Sequence, residues 1–367
     1  MTAGLTWMQP RSRIRVLVID DSAVMRSLLR MTLAACPEIE LAGMAVDGVA
    51  GLEAVDTLRP DLVLLDVEMP RMNGLEVLAE MRARSLPGKV IMCSTLTRRG
   101  AGITLEALAR GAADYVAKPS AQDGIHQGVD TLSRELLPKI RALFTVPQHP
   151  APFRAPRIPM PVPSRIAPHA SAGVLVIGVS TGGPAALEKF LSALPAEFPL
   201  PVLIVQHMPR LFTALLAERL NGLCSMPVRE ASGGEVLRSG TVSLARGDWH
   251  LQIVGTAARS SLRVTQAIAQ EHCRPSVDVL FRSAAAVYGA GALAVVLTGM
   301  GSDGLDGCQA IHAAGGRIMV QDRETSAVWG MPGVVAAAGL ADQTLPLEAL
   351  APEIVRSTTR YATSRPA

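Results

Sequence analysis

The sequence predicts two open α/β domains, each a doubly wound parallel sheet with helices on both faces. Three observations carry that reading. The chain has 367 residues, against about 100–200 for a typical domain. Short, continuous apolar runs alternate with helical patterns along most of its length, as in parallel sheets buried on both sides. And one proline-rich stretch interrupts that alternation, with eight prolines between positions 147 and 168.

The elements follow in order. In the first segment, strand-like runs stand at 14–19 (IRVLVI), 41–46, 62–65 (LVLL), 90–93 (VIMC) and 115–117. Between them lie helix patterns such as Met25, Leu28, Leu29 and Leu33, an apolar stripe at helical spacing. Proline fixes φ and removes backbone donors, so 141–172 is expected to be an extended Pro/Arg-rich tether between domains at 13–140 and 173–358. In the second segment the runs are 174–179 (VLVIGV), 202–205 (VLIV), 241–245, 250–254 and 292–297 (ALAVVL). The 250–254 run alternates and looks antiparallel. Pro184 opens a helix with Leu187, Phe190, Leu191 and Leu194 on one face.

Composition excludes several classes. Apolar residues are 49% and charged ones 18%, too apolar for a disordered chain; aromatics are only 3%, so Ala, Val, Leu, Ile and Met must build the cores. The net charge is +3, and all of the excess lies in 141–172, which carries Arg141, Arg154, Arg157 and Arg165 and no acid. With both flanking segments near neutral and no helix-turn-helix pattern, nucleic acid is not an expected partner. The five cysteines are scattered without CxxC spacing, which suits a reduced chain better than a disulfide framework or zinc site. No apolar run nears the ~20 residues of a membrane span, and Met1–Arg13 lacks a signal-peptide core, so a cytoplasmic protein without membrane insertion is expected.

Sites in such sheets form at the carboxyl ends of the strands. There the first segment places Asp20 and Asp21 after its first strand, Asp66 after the third, Ser94 after the fourth and Lys118 after the fifth. A lone aspartate at such a point is commonly a turn or helix cap. Three crowded carboxylates instead call for a hard cation such as Mg²⁺, which would let one carboxylate attack phosphorus while Lys118 and Ser94 stabilise phosphoryl oxygens. Lysine is scarce here, four against 31 arginines, which favours a specific role for Lys118.

In the second segment, Gly178-Val-Ser180-Thr-Gly182-Gly183-Pro184 joins strand to helix and puts Ser180 at a helix N-terminus. Such a turn can also cradle phosphate, but it lacks the GK[ST] ending and GxGxxG spacing of phosphate loops. It does read as GxSxG. A serine nucleophile needs a base and an orienting acid. Of His207, His250, His272 and His312, only His207 directly follows a parallel-type strand, and Asp303 lies in the glycine-dense loop after 292–297. An aspartate there is often only a turn residue.

The motifs IDDS (19–22), LLDVEMPRMNG (64–74), MCSTLT (92–97) and DYVAKP (114–119) together resemble a response-regulator receiver domain, of flavodoxin-like fold. The resemblance implies Asp66 as phosphoacceptor, Asp20, Asp21 and Asp66 as an Mg²⁺ site, and Ser94 and Lys118 as phosphate ligands. Tyr115 matches the family's aromatic position that reorients on activation; ordinary half-buried packing is the alternative. GVSTGGPAAL, VQHMP, HCRPSVDVLF, LTGMGSDG and GMPGVV resemble the Rossmann-like catalytic domain of chemotaxis protein-glutamate methylesterases. That resemblance implies Ser180 as nucleophile, His207 as base, Asp303 as its partner, and the N–H groups of Thr181 and Met300 as an oxyanion hole. It implies no cofactor in the catalytic domain, methylated chemoreceptor cytoplasmic domains as substrate, deamidation of certain receptor glutamines, and activation by a histidine kinase in sensory adaptation. Small departures are Arg246 for a common proline and Cys273 for a frequent aromatic; His250 and Arg274 either line the substrate rim or are structural. The competing expectation is a non-catalytic response regulator whose second domain only binds a partner.

Overall fold

The computed structural model describes residues 13–119, 124–144, 173–266 and 273–362. The chain divides between Phe144 and Thr145 into two compact units.

The first unit alternates strand and helix throughout: β1 (Ile14–Ile19), α1 (Ala23–Ala34), β2 (Ile39–Ala45), α2 (Gly48–Leu58), β3 (Leu62–Asp66), α3 (Gly74–Ala83), β4 (Lys89–Ser94), α4 (Arg98–Ala109), β5 (Asp114–Ala117) and α5 (Ile125–Phe144). Its strands pair in parallel in the order β2-β1-β3-β4-β5, the doubly wound order of flavodoxin-like sheets. All five residues of β3 are buried, as expected for a central strand covered on both faces. Short polar side chains start the helices: Ser22 accepts from the Met25 N–H, Asp47 from Val49 and Ala50, and Asn73 and Glu76 form a reciprocal capping box. Gly74 is demanded by close approach, because a Cβ there would stand 2.2 Å from the Asp66 carbonyl oxygen.

The second unit contains β6 (Val174–Val179), α6 (Gly183–Ser192), β7 (Val202–Gln206), α7 (Arg210–Leu223), β8 (Val228–Glu230), β9 (Val242–Leu244), β10 (His250–Thr256), β11 (Arg259–Thr265), α8 (Val277–Tyr288), β12 (Ala292–Val296), α9 (Leu305–Ala313), β13 (Arg317–Gln321), α10 (Met331–Ala337), β14 (Gln343–Leu345) and α11 (Leu347–Ala362). Seven strands form one parallel sheet, β14-β13-β12-β6-β7-β9-β8. Separately, β10 and β11 make an antiparallel hairpin, in which His250 pairs with Thr265. The apolar side of the hairpin, Leu251, Ile253 and Leu262, joins Leu280 and Phe281 of α8 in the core over the sheet.

The structure extends the expected elements in two ways. Helix α5 runs through Arg141–Phe144, four residues into the stretch assigned to the tether. Its apolar stripe Leu132, Leu136, Ile140 and Leu143 is buried to the end, so packing holds the last turn helical. The proline-rich remainder, 145–172, lies outside the described residues. Strands β8, β11, β13 and β14, none of them expected, complete the sheet and the hairpin.

Candidate active site

In the second unit the chain first builds one side of β6, with β7, then the edge strand β8 and β9 between them, and afterwards the other side, from β12 through β13 to β14. The carboxyl ends of β6 and β12 therefore form the switch point at which open α/β sheets place their sites. Ser180 directly follows β6, His207 directly follows β7, and the loop Thr298–Asp303 follows β12. Strand pairing brings these ends together. The His207 N–H donates to the Val179 carbonyl at 3.2 Å, and the Ser180 N–H donates to the Thr298 carbonyl at 3.0 Å.

The turn after β6 is tight because Gly182 takes a φ of 77°, a left-handed conformation that favours glycine. Pro184 then occupies the first turn of α6. The Ser180 carbonyl accepts from the Gly183 N–H at 2.8 Å and from Nε2 of Gln206 at 2.9 Å. On the other side, Oε1 of Gln321 accepts from the Thr298 N–H at 2.8 Å. Both glutamines are buried, and each closes a strand directly after an apolar run. Gly299 lies directly against the serine: a Cβ there would stand 2.8 Å from the Ser180 Cβ and 3.1 Å from its nitrogen. Met300 directly follows Gly299 in the chain. Thr181 is buried and Met300 half-buried.

Nε2 of His207 stands 2.7 Å from Oδ2 of Asp303. The same carboxylate caps α8, accepting from the N–H groups of Val277 at 2.7 Å and Asp278 at 3.0 Å, and from the Ser276 hydroxyl at 2.9 Å. Burial opposes ionisation of Asp303, but the His207 hydrogen bond and charge, with those N–H groups, outweigh it and hold its pKa below the usual carboxylate range. The α8 dipole works in the same direction. An ionised Asp303 can only accept, so the proton of this contact lies on Nε2 of His207. Neither His250 nor His312 reaches this arrangement as a triad member: His250 is buried inside β10, and His312 is exposed on α9. His272 lies outside the described residues.

In the first unit, Asp20 follows β1, Asp66 ends β3 and Lys118 follows β5. Nζ of Lys118 stands 2.8 Å from an oxygen of Asp20 and 2.8 Å from an oxygen of Asp66. Asp20, Asp21 and Asp66 each offer an oxygen within 4.8 Å of the others, with Asp21 exposed and the other two buried. Burial first, then the Asp20 charge, pushes Asp66 up to about 6 against the pull of Lys118. Carboxylates strained in this way, all oxygen donors and open on one side, fit Mg²⁺. Ser94 ends β4, but its hydroxyl lies 2.7 Å from that of Thr104 and donates to the Thr95 carbonyl rather than to Asp66. Tyr115 is buried, with Nζ of Lys139 4.7 Å from its ring centroid.

Comparison with known proteins assigns both segments to families. Residues 175–354 match the family model of the CheB methylesterase, and residues 16–130 that of the response regulator receiver domain. A protein-glutamate methylesterase/protein-glutamine glutaminase of Nocardioides sp. is 47% identical over 361 residues, covering 96% of this chain and 97% of its own. The chain belongs to the protein-glutamate methylesterase/protein-glutamine glutaminase family. A second member, from Trichodesmium erythraeum, is 41% identical and covers 94% of this chain and 99% of its own. The crystal structure of the Thermotoga maritima CheB methylesterase catalytic domain is 37% identical, covering 51% of this chain and 99% of its own, with a TM-score of 0.49.

Sequence reasoning missed the groups that hold the site in this family member: Gln206, Gln321, Ser276 and Asp278. The signal for the glutamines was present, a polar residue ending a buried strand (VLIVQ, RIMVQ). Asp278 accepts from the N–H groups of Gly304 at 2.9 Å and Gly307 at 2.6 Å, so Asp303 and Asp278 cap each other's segments. Burial pushes Asp278 up to about 7, the Gly307 N–H opposes this, and the Asp303 charge adds to it. A carboxyl with a raised folded pKa is penalised when ionised; the penalty is full above about pH 7 and is relieved as pH falls through it. Asp278→Asn keeps an oxygen acceptor without the charge. It should therefore raise the Tm at pH 8 and do so less at pH 6, a difference that thermal melts at the two pH values would check. An equal or smaller gain at pH 8 would contradict the buried-charge account.

Proposed function

We propose that this chain is a phosphorylation-regulated serine hydrolase that removes methyl groups from glutamate γ-methyl esters of chemoreceptor cytoplasmic domains and deamidates selected glutamines there. The observation that carries this reading is the His207–Asp303 pair at 2.7 Å, held one strand away from Ser180 at the switch point of the sheet. Ser180 attacks the side-chain carbonyl carbon while Nδ1 of His207 takes its proton, and Asp303 stabilises the imidazolium that forms. The N–H groups of Thr181 and Met300 receive the charge that develops on the carbonyl oxygen. Protonated by His207, methanol leaves. Water, deprotonated by the same base, then releases the carboxylate and regenerates the Ser180 hydroxyl. A glutamine amide follows the same route with ammonia as the leaving group.

The receiver, 13–144, supplies the control of the catalytic domain, 173–358. Asp66 is the phosphoacceptor and a histidine kinase its donor. Asp20, Asp21 and Asp66 would hold Mg²⁺, which when bound offsets negative charge at the transferring phosphoryl group. Lys118 contacts that group's oxygens, and Ser94 reaches it by exchanging its hydroxyl's donation to the Thr95 carbonyl. The cytoplasm is where such a substrate and donor meet, and no helix among the described residues is long and apolar enough to cross a membrane. The test is methanol release from receptor membranes carrying methyl esters. The expected result is release by the full chain, faster after a small phosphodonor is added with Mg²⁺. Receptor binding without methanol release would instead support the non-catalytic regulator.

A further inference from the structure

We propose that Cys273 and His207, beside Asp303, form a binding site for a thiophilic divalent cation of the Zn²⁺ class, and that its occupation switches the catalytic domain off. The proposal goes beyond the esterase reading, and rests on it only for the inhibition. A sulfur of Cys273, a ring nitrogen of His207 and a carboxylate oxygen of Asp303 all lie within 4.8 Å of one another, and all three residues are half-buried. They are therefore reachable by an ion and partly shielded from competing water.

The donor set selects the ion. Thiolate, imidazole and carboxylate are the ligands that Zn²⁺ takes in tetrahedral sites, and three protein ligands with a fourth position for water are common in open ones. The other acidic cluster, at Asp20, Asp21 and Asp66, offers only oxygens and suits a hard ion. Bonds of about 2.0–2.3 Å put ligand atoms of a tetrahedral ion roughly 3.3–3.8 Å apart. Ligand atoms that already lie within 4.8 Å of one another reach that spacing by side-chain rotation, such as one about χ1 of Cys273. The negative charge of Asp303, already stabilised by the start of α8, offsets the charge of the ion. On binding, the Cys273 thiol gives up its proton and a ring nitrogen of His207 donates its lone pair to the metal. A His207 so engaged can no longer take the Ser180 proton.

The full-length chain, with Mg²⁺ added to occupy the receiver carboxylates, is titrated with Cd²⁺ and followed by the ultraviolet thiolate-to-metal charge-transfer band. The wild type is expected to give a band that saturates at one Cd²⁺ per chain and is displaced by Zn²⁺. Cys273→Ser should abolish it, His207→Gln should weaken the affinity by about tenfold or more, and Cys224→Ser, which alters the other half-buried cysteine, should retain it. In the activity arm, Zn²⁺ should slow methanol release by the wild type reversibly, with recovery on adding a chelator. For Cys273→Ser, the concentration that halves its own metal-free rate should rise about tenfold or more. A Cd²⁺ band that survives in Cys273→Ser, or equal Zn²⁺ inhibition of that variant, would overturn the proposal. If no form of the protein releases methanol, the esterase reading has failed and the Cd²⁺ titration alone still decides the site.

Discussion

Ser180→Ala should leave a folded protein whose methanol release falls by at least about 10⁴-fold, because loss of a triad nucleophile removes the covalent route and leaves only binding and oxyanion stabilisation. Folding should survive because the bonds that hold this turn use the Ser180 backbone: its N–H to Thr298, its carbonyl to Gly183 and Gln206. Alanine keeps all three and keeps the Cβ that packs against Gly299. The Tm should therefore match that of the wild type, and a serine-directed phosphonate should label the wild type and not the variant. The measurement also separates Ser180 from its chemical rival, since Cys273 is the other nucleophile beside His207. Full methanol release by the variant would transfer the role elsewhere, and the thiol would be the first place to look.

The candidate catalytic residues were legible because Ser180 and His207 directly follow strands whose apolar runs are nearly continuous, and Asp303 lies in the loop after a third. Strands β1 and β6 are buried on both faces, and IRVLVI and VLVIGV mark them to the residue. Ser180, His207 and Asp303 then follow from one rule about sheet edges. Other elements had no such mark. β13 offers three apolar residues between Arg317 and Gln321, β14 is three residues long, and β11 (RSSLRVT) alternates with polar positions facing away from the core. They are strands because neighbours supply the pairing and burial, which is tertiary information. The cap of α8 is of the same kind: the Ser276 side chain starts the helix without capping its N–H groups, and the acceptor for them comes from Asp303, 27 residues later. The proximity of Cys273 to His207 likewise follows from the path of the chain into α8, and no local pattern announces it.

Asp66→Asn should erase the difference between methanol release with and without a phosphodonor and Mg²⁺, bringing the stimulation ratio to about one. The reason lies in the atom that reacts. A carboxylate oxygen can displace a leaving group from phosphorus and become an acyl phosphate, whereas a carboxamide is a far weaker nucleophile of the same shape. Asparagine still offers an oxygen to the Glu68 N–H that approaches Asp66 in the structure, and Lys118 keeps its contact with Asp20, so the pocket retains its framework. The substitution also relieves the crowding that pushes Asp66 up to about 6, and the variant should be at least as stable to heat near neutral pH. A loss of stimulation accompanied by unfolding would leave the melting curve to betray it, and stimulation that persists undiminished would remove Asp66 from the phosphoacceptor role. The same experiment bears on Asp20 and Asp21. If they serve Asp66 through a shared cation, raising Mg²⁺ should quicken phosphorylation of the wild type and change nothing in Asp66→Asn, because the cation can organise an attack only where there is an oxyanion to make it.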